Sequence, residues 1–206
     1  MKKVYRFIDR GILPLLVICS ACVSLERSYP EIRYFVIAIP DSVNRSNSAA
    51  GGRILLVSNL RISPRYADKN FVYRTSESGY ESDFYDRFLT SPDLIIGEEV
   101  RKGLAASQVF KYVIGPSNQL QPNYVLEGSI NALYGDFRNF NAPAAVLEME
   151  FFVHNEEAAN PGIVMQKRYM KSIAISARSP EALVKGWNDA LNEILTALAA
   201  DLKAAL

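Results

Sequence analysis

The C-terminal region carries a one-sided apolar pattern that a long amphipathic helix satisfies. Ser179 and Pro180 predict its start, because Ser is a favoured N-cap residue and Pro fits the first helical position. Apolar residues then recur at helical spacing, at Leu183, Trp187, Leu191, Ile194, Leu195, Leu198 and Leu202. This helix would be roughly 40 Å long at about 1.5 Å per residue. We expect its apolar stripe to pack on a sheet.

The segments before this helix predict the sheet. Residues 146–154 alternate between apolar and polar side chains, which is typical of a strand with one buried face. Residues 163–175 predict the return strand of a hairpin. Residues 124–140 predict a further long strand, in which we expect Gly128 and Gly135 to mark bends or bulges.

Shorter segments rich in β-forming residues predict further strands at 33–39, 54–62, 71–74 and 110–114. Residues 80–88 fit either an edge strand or an irregular aromatic segment. Ser91 and Pro92 predict a second helix, which we expect to end near Ser107. The order of elements indicates an α+β fold, with a mainly antiparallel or mixed sheet and two helices packed on one face.

The N-terminus combines a basic segment with a short apolar run, Ile-Leu-Pro-Leu-Leu-Val-Ile at residues 12–18. The run is far shorter than the roughly 20 apolar residues of a membrane-spanning helix. We interpret the combination as a bacterial secretory signal. The sequence Cys19-Ser20-Ala21-Cys22 follows, and it resembles a lipobox, in which small residues precede the Cys that carries diacylglycerol.

We predict Cys22 as the lipid attachment residue, because Cys19 follows the bulky Ile18. Attachment at Cys19, ordinary secretion and an uncleaved anchor are the alternatives. Residues 1–21 are then the signal peptide, residues 22–31 the lipidated N-terminus with a short tether, and residues 32–206 a single domain. The tether from Val23 to Pro30 spans at most about 28 Å. In enteric-type bacteria an Asp directly after the lipidated Cys retains a lipoprotein at the inner membrane. Val23 follows Cys22 here, which indicates the periplasmic face of the outer membrane.

Charge and motifs exclude several classes of protein. The chain has 23 Lys and Arg residues against 22 Asp and Glu residues, so it lacks the basic excess of a nucleic-acid-binding protein. It has no glycine-rich phosphate loop and no Gly-x-Ser-x-Gly motif. His154 is the only histidine, and we place it at the end of a hairpin strand as a surface residue.

One carboxylate pair could serve acid–base chemistry. Glu148 and Glu150 lie on one strand face about 7 Å apart. Lys167, Arg168 and Lys171 on the return strand can pair with them, which favours a structural role. We therefore predict no catalytic, metal-binding or cofactor-binding residues and no enzyme, with the acyl anchor on Cys22 as the only attached group.

The most unusual feature is an aromatic set that charged residues interrupt, comprising Tyr66, Phe71, Tyr73, Tyr80, Phe84, Tyr85 and Phe88. It fits a satellite cluster packed under loops, or an apolar surface for a protein or a lipid. The candidate residues for such a surface are Tyr66, Tyr80, Phe84, Tyr85 and Phe88.

Several of these segments together resemble the ABC-type transport auxiliary lipoprotein family. A lipobox is followed by Tyr34-Phe35-Val36-Ile37, then by the apolar residues 54–60 and by Pro-Arg-Tyr-Ala-Asp-Lys-Asn-Phe-Val-Tyr-Arg at 64–74. Residues 64–74 are the most specific part, and the resemblance covers roughly residues 33–175. The family commonly has a Trp in the next segment, where this chain has Phe84-Tyr85.

The resemblance implies a periplasmic α+β lipoprotein that hydrolyses nothing. Such proteins accompany an ABC permease and ATPase and a periplasmic protein with a mammalian-cell-entry (MCE) domain. These systems move lipid or other hydrophobic substrates between bacterial membranes. The alternative is a structural assembly lipoprotein of another envelope complex, such as an outer-membrane insertion or export machine. The sequence leaves a homo-oligomer open.

Overall fold

The computed structural model describes residues 30–39, 52–157 and 162–206. The strands are β1 (Arg33–Phe35), β2 (Ile54–Val57), β3 (Arg61–Ile62), β4 (Asn70–Arg74), β5 (Tyr80–Phe88), β6 (Tyr112–Ile114), β7 (Tyr124–Asp136), β8 (Ala144–Asn155) and β9 (Gly162–Ala174). The helices are α1 (Pro92–Ala106) and α2 (Pro180–Ala205), and a short 3-10 helix covers Pro64–Tyr66. The predicted signal peptide and Cys22 lie outside the described residues.

Strand β7 is the centre of the sheet. It pairs antiparallel with β8 along its whole length, and β8 pairs antiparallel with β9. Its other edge pairs in parallel with β2, β3 and β4, which follow one another along it. Outside them, β6 is parallel to β2, β5 is antiparallel to β4, and β1 is parallel to β5. Residues Ile32–Leu206 form one compact unit.

The predicted α+β class with both helices on one face is confirmed, but the sheet is mixed. Five of the eight strand pairs in the described part of the chain are parallel. Counted by strand pairs, the expectation of a mainly antiparallel sheet is therefore wrong, and the mixed alternative holds. Parallel pairing requires a long crossover connection, and the chain makes one through α1 between β5 and β6. The strands β2, β3 and β4 therefore meet β7 in its own direction.

Helix α2 packs closely on the sheet with its predicted apolar stripe fully buried. The Ser179 hydroxyl accepts a hydrogen bond from the Ala182 amide at 3.2 Å, which caps the helix as predicted. A side chain at Gly186 would come within 2.6 Å of the Ala145 methyl, so this glycine permits the close approach of α2 to β8. Trp187 contacts Phe71 and Phe88, with ring centroids at 5.0 and 5.6 Å.

The prediction that Gly128 and Gly135 mark bends or bulges in β7 is wrong. The register shift lies between Ile130 and Ala132, away from both glycines. A Cβ at Gly128 would lie 2.6 Å from Leu60, and a Cβ at Gly135 would lie 2.9 Å from Leu183. Both glycines therefore make room for side chains packed onto the sheet.

The predicted strand 33–39 ends early, at Phe35. Beyond it, Asn188 of α2 accepts the Ala38 amide at 3.0 Å, and Glu99 of α1 accepts the Ile39 amide at 2.9 Å. Side chains of the two helices thus take the place of a neighbouring strand. This role explains the burial of Glu99, whose carboxylate also binds Lys102 at 2.9 Å.

Other predicted details differ from the structure, and the predicted strand 124–140 ends at Asp136. The predicted strand 54–62 is divided into β2 and β3, and Leu60 between them turns into the core. Helix α1 has the predicted bounds, but the Ser91 hydroxyl donates to the Asp93 carboxylate and makes no cap bond to the backbone.

Candidate functional site: an aromatic bulge at the sheet edge

Strand β5 contains a large bulge. Asn70 of β4 pairs with Arg87, but Val72, only two residues further along β4, pairs with Ser82. Three extra residues are therefore accommodated on β5. We call residues 83–87 the aromatic bulge. Bulges of this kind re-aim side chains and interrupt pairing, and they are common next to functional sites.

Asp83 holds the bulge together. Its carboxylate accepts the Tyr73 hydroxyl at 2.6 Å and the backbone amides of Tyr85 at 2.8 Å and Asp86 at 3.1 Å. Burial alone would raise the pKa of Asp83, but these hydrogen bonds outweigh it and lower the pKa. Burial, together with the bond to Asp83, raises the pKa of Tyr73. The side chain of Asp83 thus satisfies backbone groups that the neighbouring strand does not pair.

The bulge places two aromatic rings on the surface. Phe84 is 60% exposed and Tyr85 is 39% exposed. Their rings meet edge to face, with centroids 5.4 Å apart and an interplanar angle of 86°. The guanidinium of Arg87 lies 4.5 Å from the Phe84 centroid, and its Nε donates to the Phe84 carbonyl at 2.8 Å. The cation and the backbone bond hold Phe84 in place while it remains exposed.

The first strand extends this surface. Tyr34 of β1 is exposed and pairs in register with Arg87. Next to it, Arg33 binds the Asp86 carboxylate at 2.8 Å and Glu181 of α2 at 2.7 Å. These ion pairs fasten β1 to the bulge on one side and to α2 on the other. Tyr34, Phe84 and Tyr85 therefore belong to one firmly supported edge.

Two of the five predicted surface residues are buried, so the prediction is wrong for them. Tyr66 is 4% exposed and stacks on Tyr134 at 6.0 Å. Burial and the neighbouring Tyr80 raise the pKa of Tyr66 to about 12. Phe88 lies 4.6 Å from Phe71 in the core. The bulge changes the side-chain alternation between Phe84 and Phe88, and the sequence does not show this change.

Tyr80 is partly exposed, as predicted, and it contacts the Tyr134 ring edge to face at 5.9 Å. Sequence reasoning missed Tyr34 and Phe140 as exposed aromatic residues. Tyr34 lay inside a predicted strand whose two faces could not be told apart. Phe140 stands between two asparagines, a turn-forming context that is the available signal for an exposed position.

The carboxylate pair on β8 is neutralised across the hairpin. Arg168 lies 3.3 Å from Glu148 and 3.9 Å from Glu150, as the structural interpretation predicted. The other two predicted partners face the opposite side of β9 and bind α2. Lys167 pairs with Asp201 at 2.7 Å, and Lys171 pairs with Glu193 at 2.8 Å.

His154 is half-buried in β8, opposite Val125. In residues 30–39, 52–157 and 162–206, no group of three His, Cys, Asp or Glu side chains could hold a metal ion. None of the helices in these ranges combines the length and the apolar character that crossing a membrane requires.

Comparison with known proteins reveals similarity in fold. No family model and no curated protein matches the chain. A Xanthomonas campestris protein of the family DUF330 has a TM-score of 0.69 at 13% identity, over 84% of this chain and 96% of that one. An uncharacterised protein has a TM-score of 0.66 at 13% identity, over 84% of this chain and 99% of that one. The hypothetical protein CT253 from Chlamydia trachomatis gives 0.51 at 9% identity, over 75% and 99%. The chain therefore shares the fold of these solved structures, a DUF330 protein among them.

Proposed function

We propose that the chain is a non-enzymatic, membrane-anchored periplasmic lipoprotein. In this proposal it is the auxiliary subunit of an ABC/MCE-type transporter that moves lipid or another hydrophobic substrate between bacterial membranes. The lipobox ending at Cys22 supports the anchor. The resemblance of residues 64–74 supports the transporter role.

The exposed aromatic bulge carries the docking part of this proposal. A cluster that only filled space under loops would bury Phe84, whereas its ring is 60% exposed beside Tyr85 and Arg87. Aromatic residues and arginine are enriched at protein interfaces, where a few such side chains supply most of the binding energy. We assign this surface to the periplasmic MCE-domain protein.

The segment that carries the family resemblance includes β4, the strand that pairs with the bulged strand β5. Tyr66 and Phe71 of this segment are core residues. Tyr73 of the same segment donates its hydroxyl to Asp83, the residue that holds the bulge. Residues 64–74 thus build the platform on which Phe84 and Tyr85 are presented. A structural role of this kind suits a motif without catalytic residue types.

The bonds made by four carboxylates, those of Asp83, Glu99, Glu148 and Glu150, support a role without catalysis. Glu148 and Glu150 face Arg168, and Glu99 is occupied by Lys102 and by the Ile39 amide. Asp83 is occupied by one hydroxyl and two backbone amides. A general acid or base needs a free carboxyl in reach of a substrate, and none of these groups offers one.

The partner is tested by crosslinking the tagged, full-length protein in cells and identifying captured proteins by mass spectrometry. The variant Phe84→Ser with Tyr85→Ser removes both exposed rings. Tyr112→Ser is the matched control, because Tyr112 is half-exposed on β6, away from the bulge. We expect an MCE-domain protein with the unaltered chain and the control, and a loss of about tenfold or more with the double variant.

Two results would contradict the proposal. Capture of an outer-membrane insertion or export machine instead would favour the assembly role. Equal capture of the MCE-domain protein by the double variant would remove the bulge from the interface.

The anchor is tested separately by the intact mass of protein extracted from membranes. We expect the mass of an acylated chain that begins at Cys22, and loss of this species in Cys22→Ser. Cys19→Ser is the control and should leave acylation intact. An acylated Cys22→Ser protein would contradict the assignment of the anchor.

A further inference from the structure

Another exposed aromatic residue, Phe140, lies at the tip of the β7–β8 hairpin. Phe140 is 76% exposed, more than any other large hydrophobic residue in the described part of the chain. The turn that carries it is ordered by Asn139, whose side chain accepts the Asn141 amide at 3.0 Å. The tip is therefore built to hold an apolar ring in the solvent.

An arginine covers this ring and has no carboxylate partner among the described residues. The Arg178 guanidinium lies 4.6 Å from the Phe140 centroid, and its Nη2 donates to the Phe137 carbonyl at 2.6 Å. The nearby acidic groups are engaged elsewhere, since Asp136 and Glu77 pair with Arg138 at 2.7 and 3.4 Å. Arg178 therefore retains a positive charge available to an anionic group.

The chain enters the domain at the same end of the sheet. Helix α2 begins above the end of β7, where Leu183 packs against Gly135. Arg33 pairs with Glu181 in the first turn of that helix, and β1 runs from there toward Asn188, which binds the Ala38 amide. The N-terminal connection thus begins nearer to the end of the sheet that carries Phe140 than to the opposite end.

The length of this connection decides which end of the domain can meet a membrane. Cys22 and Arg33 are eleven residues apart in the sequence, a separation of at most about 38 Å. The opposite end of β7, at Tyr124, lies roughly 40 Å from the hairpin tip. The strand registers place Arg33 level with about residue 133 of β7, so the end at Tyr124 is roughly 30 Å away and the end at Asp136 only about 10 Å away. Contact at the Tyr124 end would therefore use most of the tether's length along the domain.

We infer that the hairpin tip at Phe140 contacts the lipid surface to which the chain is anchored, an inference that rests on the proposed acylation of Cys22. The Phe140 ring enters the interfacial region of the bilayer, and Arg178 binds a lipid phosphate. Aromatic side chains favour that region, and cationic side chains reach the phosphates from it. The tip thereby fixes the orientation of the domain and leaves the aromatic bulge free for a protein partner.

The test uses the full-length acylated protein on vesicles of phosphatidylethanolamine and phosphatidylglycerol with brominated acyl chains. Phe140→Trp places a fluorophore at the tip. Tyr112→Trp is the matched control, because Tyr112 is half-exposed under Lys111 at 5.3 Å, near the opposite end of the sheet. Trp187 is the only native tryptophan and is fully buried, so the unaltered protein supplies its constant background.

We expect the tip tryptophan to shift to shorter wavelength and to lose about half or more of its added emission, with little change at position 112. Adding Arg178→Gln to Phe140→Trp should weaken the quenching. Protein that floats with the vesicles without quenching at position 140, or with equal quenching at both positions, would overturn this inference alone. Failure to float would overturn it together with the proposed anchor.

Discussion

The hairpin half of the domain, β7 to β9, and its aromatic edge, around β1 and β5, satisfy their backbone hydrogen bonds in different ways. Strands β7, β8 and β9 form long regular ladders with one shift in each pairing, and α2 covers them. At the aromatic edge, side chains accept the backbone amides that a neighbouring strand would otherwise pair. Asp83 accepts amides of the bulge, and Asn188 and Glu99 accept amides of the segment after β1. Regular pairing gives a rigid support, whereas side-chain pairing gives an irregular surface that can present aromatic rings.

The two halves meet at Trp187, so Trp187→Ala should have the largest effect on stability. Its ring contacts Phe71 and Phe88 of the aromatic region while its helix covers the hairpin. Removing a large buried ring costs about 3–5 kcal/mol. Urea unfolding measures the loss, with the exposed Lys185→Ala as control. If the two halves unfolded in separate transitions, Trp187 would not join them.

Gly128→Val tests close packing in the regular half. Its new Cβ would lie 2.6 Å from Leu60 and 3.0 Å from the Phe151 ring, whereas a Cβ at Gly52 would meet nothing within 4 Å. Overpacking of this kind costs about 1–3 kcal/mol. Thermal unfolding of Gly128→Val beside Gly52→Val measures the difference. Equal stability of the two variants would show that Leu60 and Phe151 move away freely.

Tyr66 predicts how stability depends on alkaline pH. Burial raises the folded pKa of Tyr66 from its ordinary value of about 10 to about 12, so the folded state resists its ionisation. This contribution is complete below pH 10 and is lost as the pH rises toward 12, by an amount on the order of 2 kcal/mol. The free energy of unfolding, measured with denaturant, should decline less steeply with rising pH in Tyr66→Phe than in the unaltered protein. Identical slopes would mean that the Tyr66 hydroxyl is accessible to solvent.

Asp83→Ala tests whether the bulge depends on side-chain pairing. The substitution removes one hydroxyl bond and two amide bonds, which we expect to cost about 1–2 kcal/mol. Hydrogen exchange at the Tyr85 and Asp86 amides should accelerate while the β7–β8 ladder stays protected. Asp68→Ala is the control, because that carboxylate is exposed. Unchanged exchange at Tyr85 would show that backbone pairing alone holds the bulge.

Arg168→Ala should have the smallest effect. Its side chain is 63% exposed and bridges Glu148 and Glu150 across an already complete ladder. Exposed ion pairs contribute less than about 1 kcal/mol. A larger loss in urea unfolding would mean that the carboxylate pair needs its cation to fold.

The difference between regular strand pairing and side-chain pairing also explains which parts of the structure the sequence could predict. The stripe of α2, the alternation of β8 and the Ser91-Pro92 helix start are local patterns, and all three appear in the structure. The bulge depends on a bond between Tyr73 and Asp83, and the tight glycines depend on side chains from distant elements. Strands as short as β2 and β3 carry no signal of direction, so their parallel pairing with β7 was not predictable.

The most direct test of the proposed docking surface is photo-crosslinking in cells, with a photoreactive phenylalanine analogue at position 84, 140 or 112. We expect the MCE-domain protein to be captured from position 84, with little or no capture from positions 140 and 112. Equal capture from all three positions, or none from position 84 while the partner is captured elsewhere, would contradict the assignment of the aromatic bulge as the docking surface.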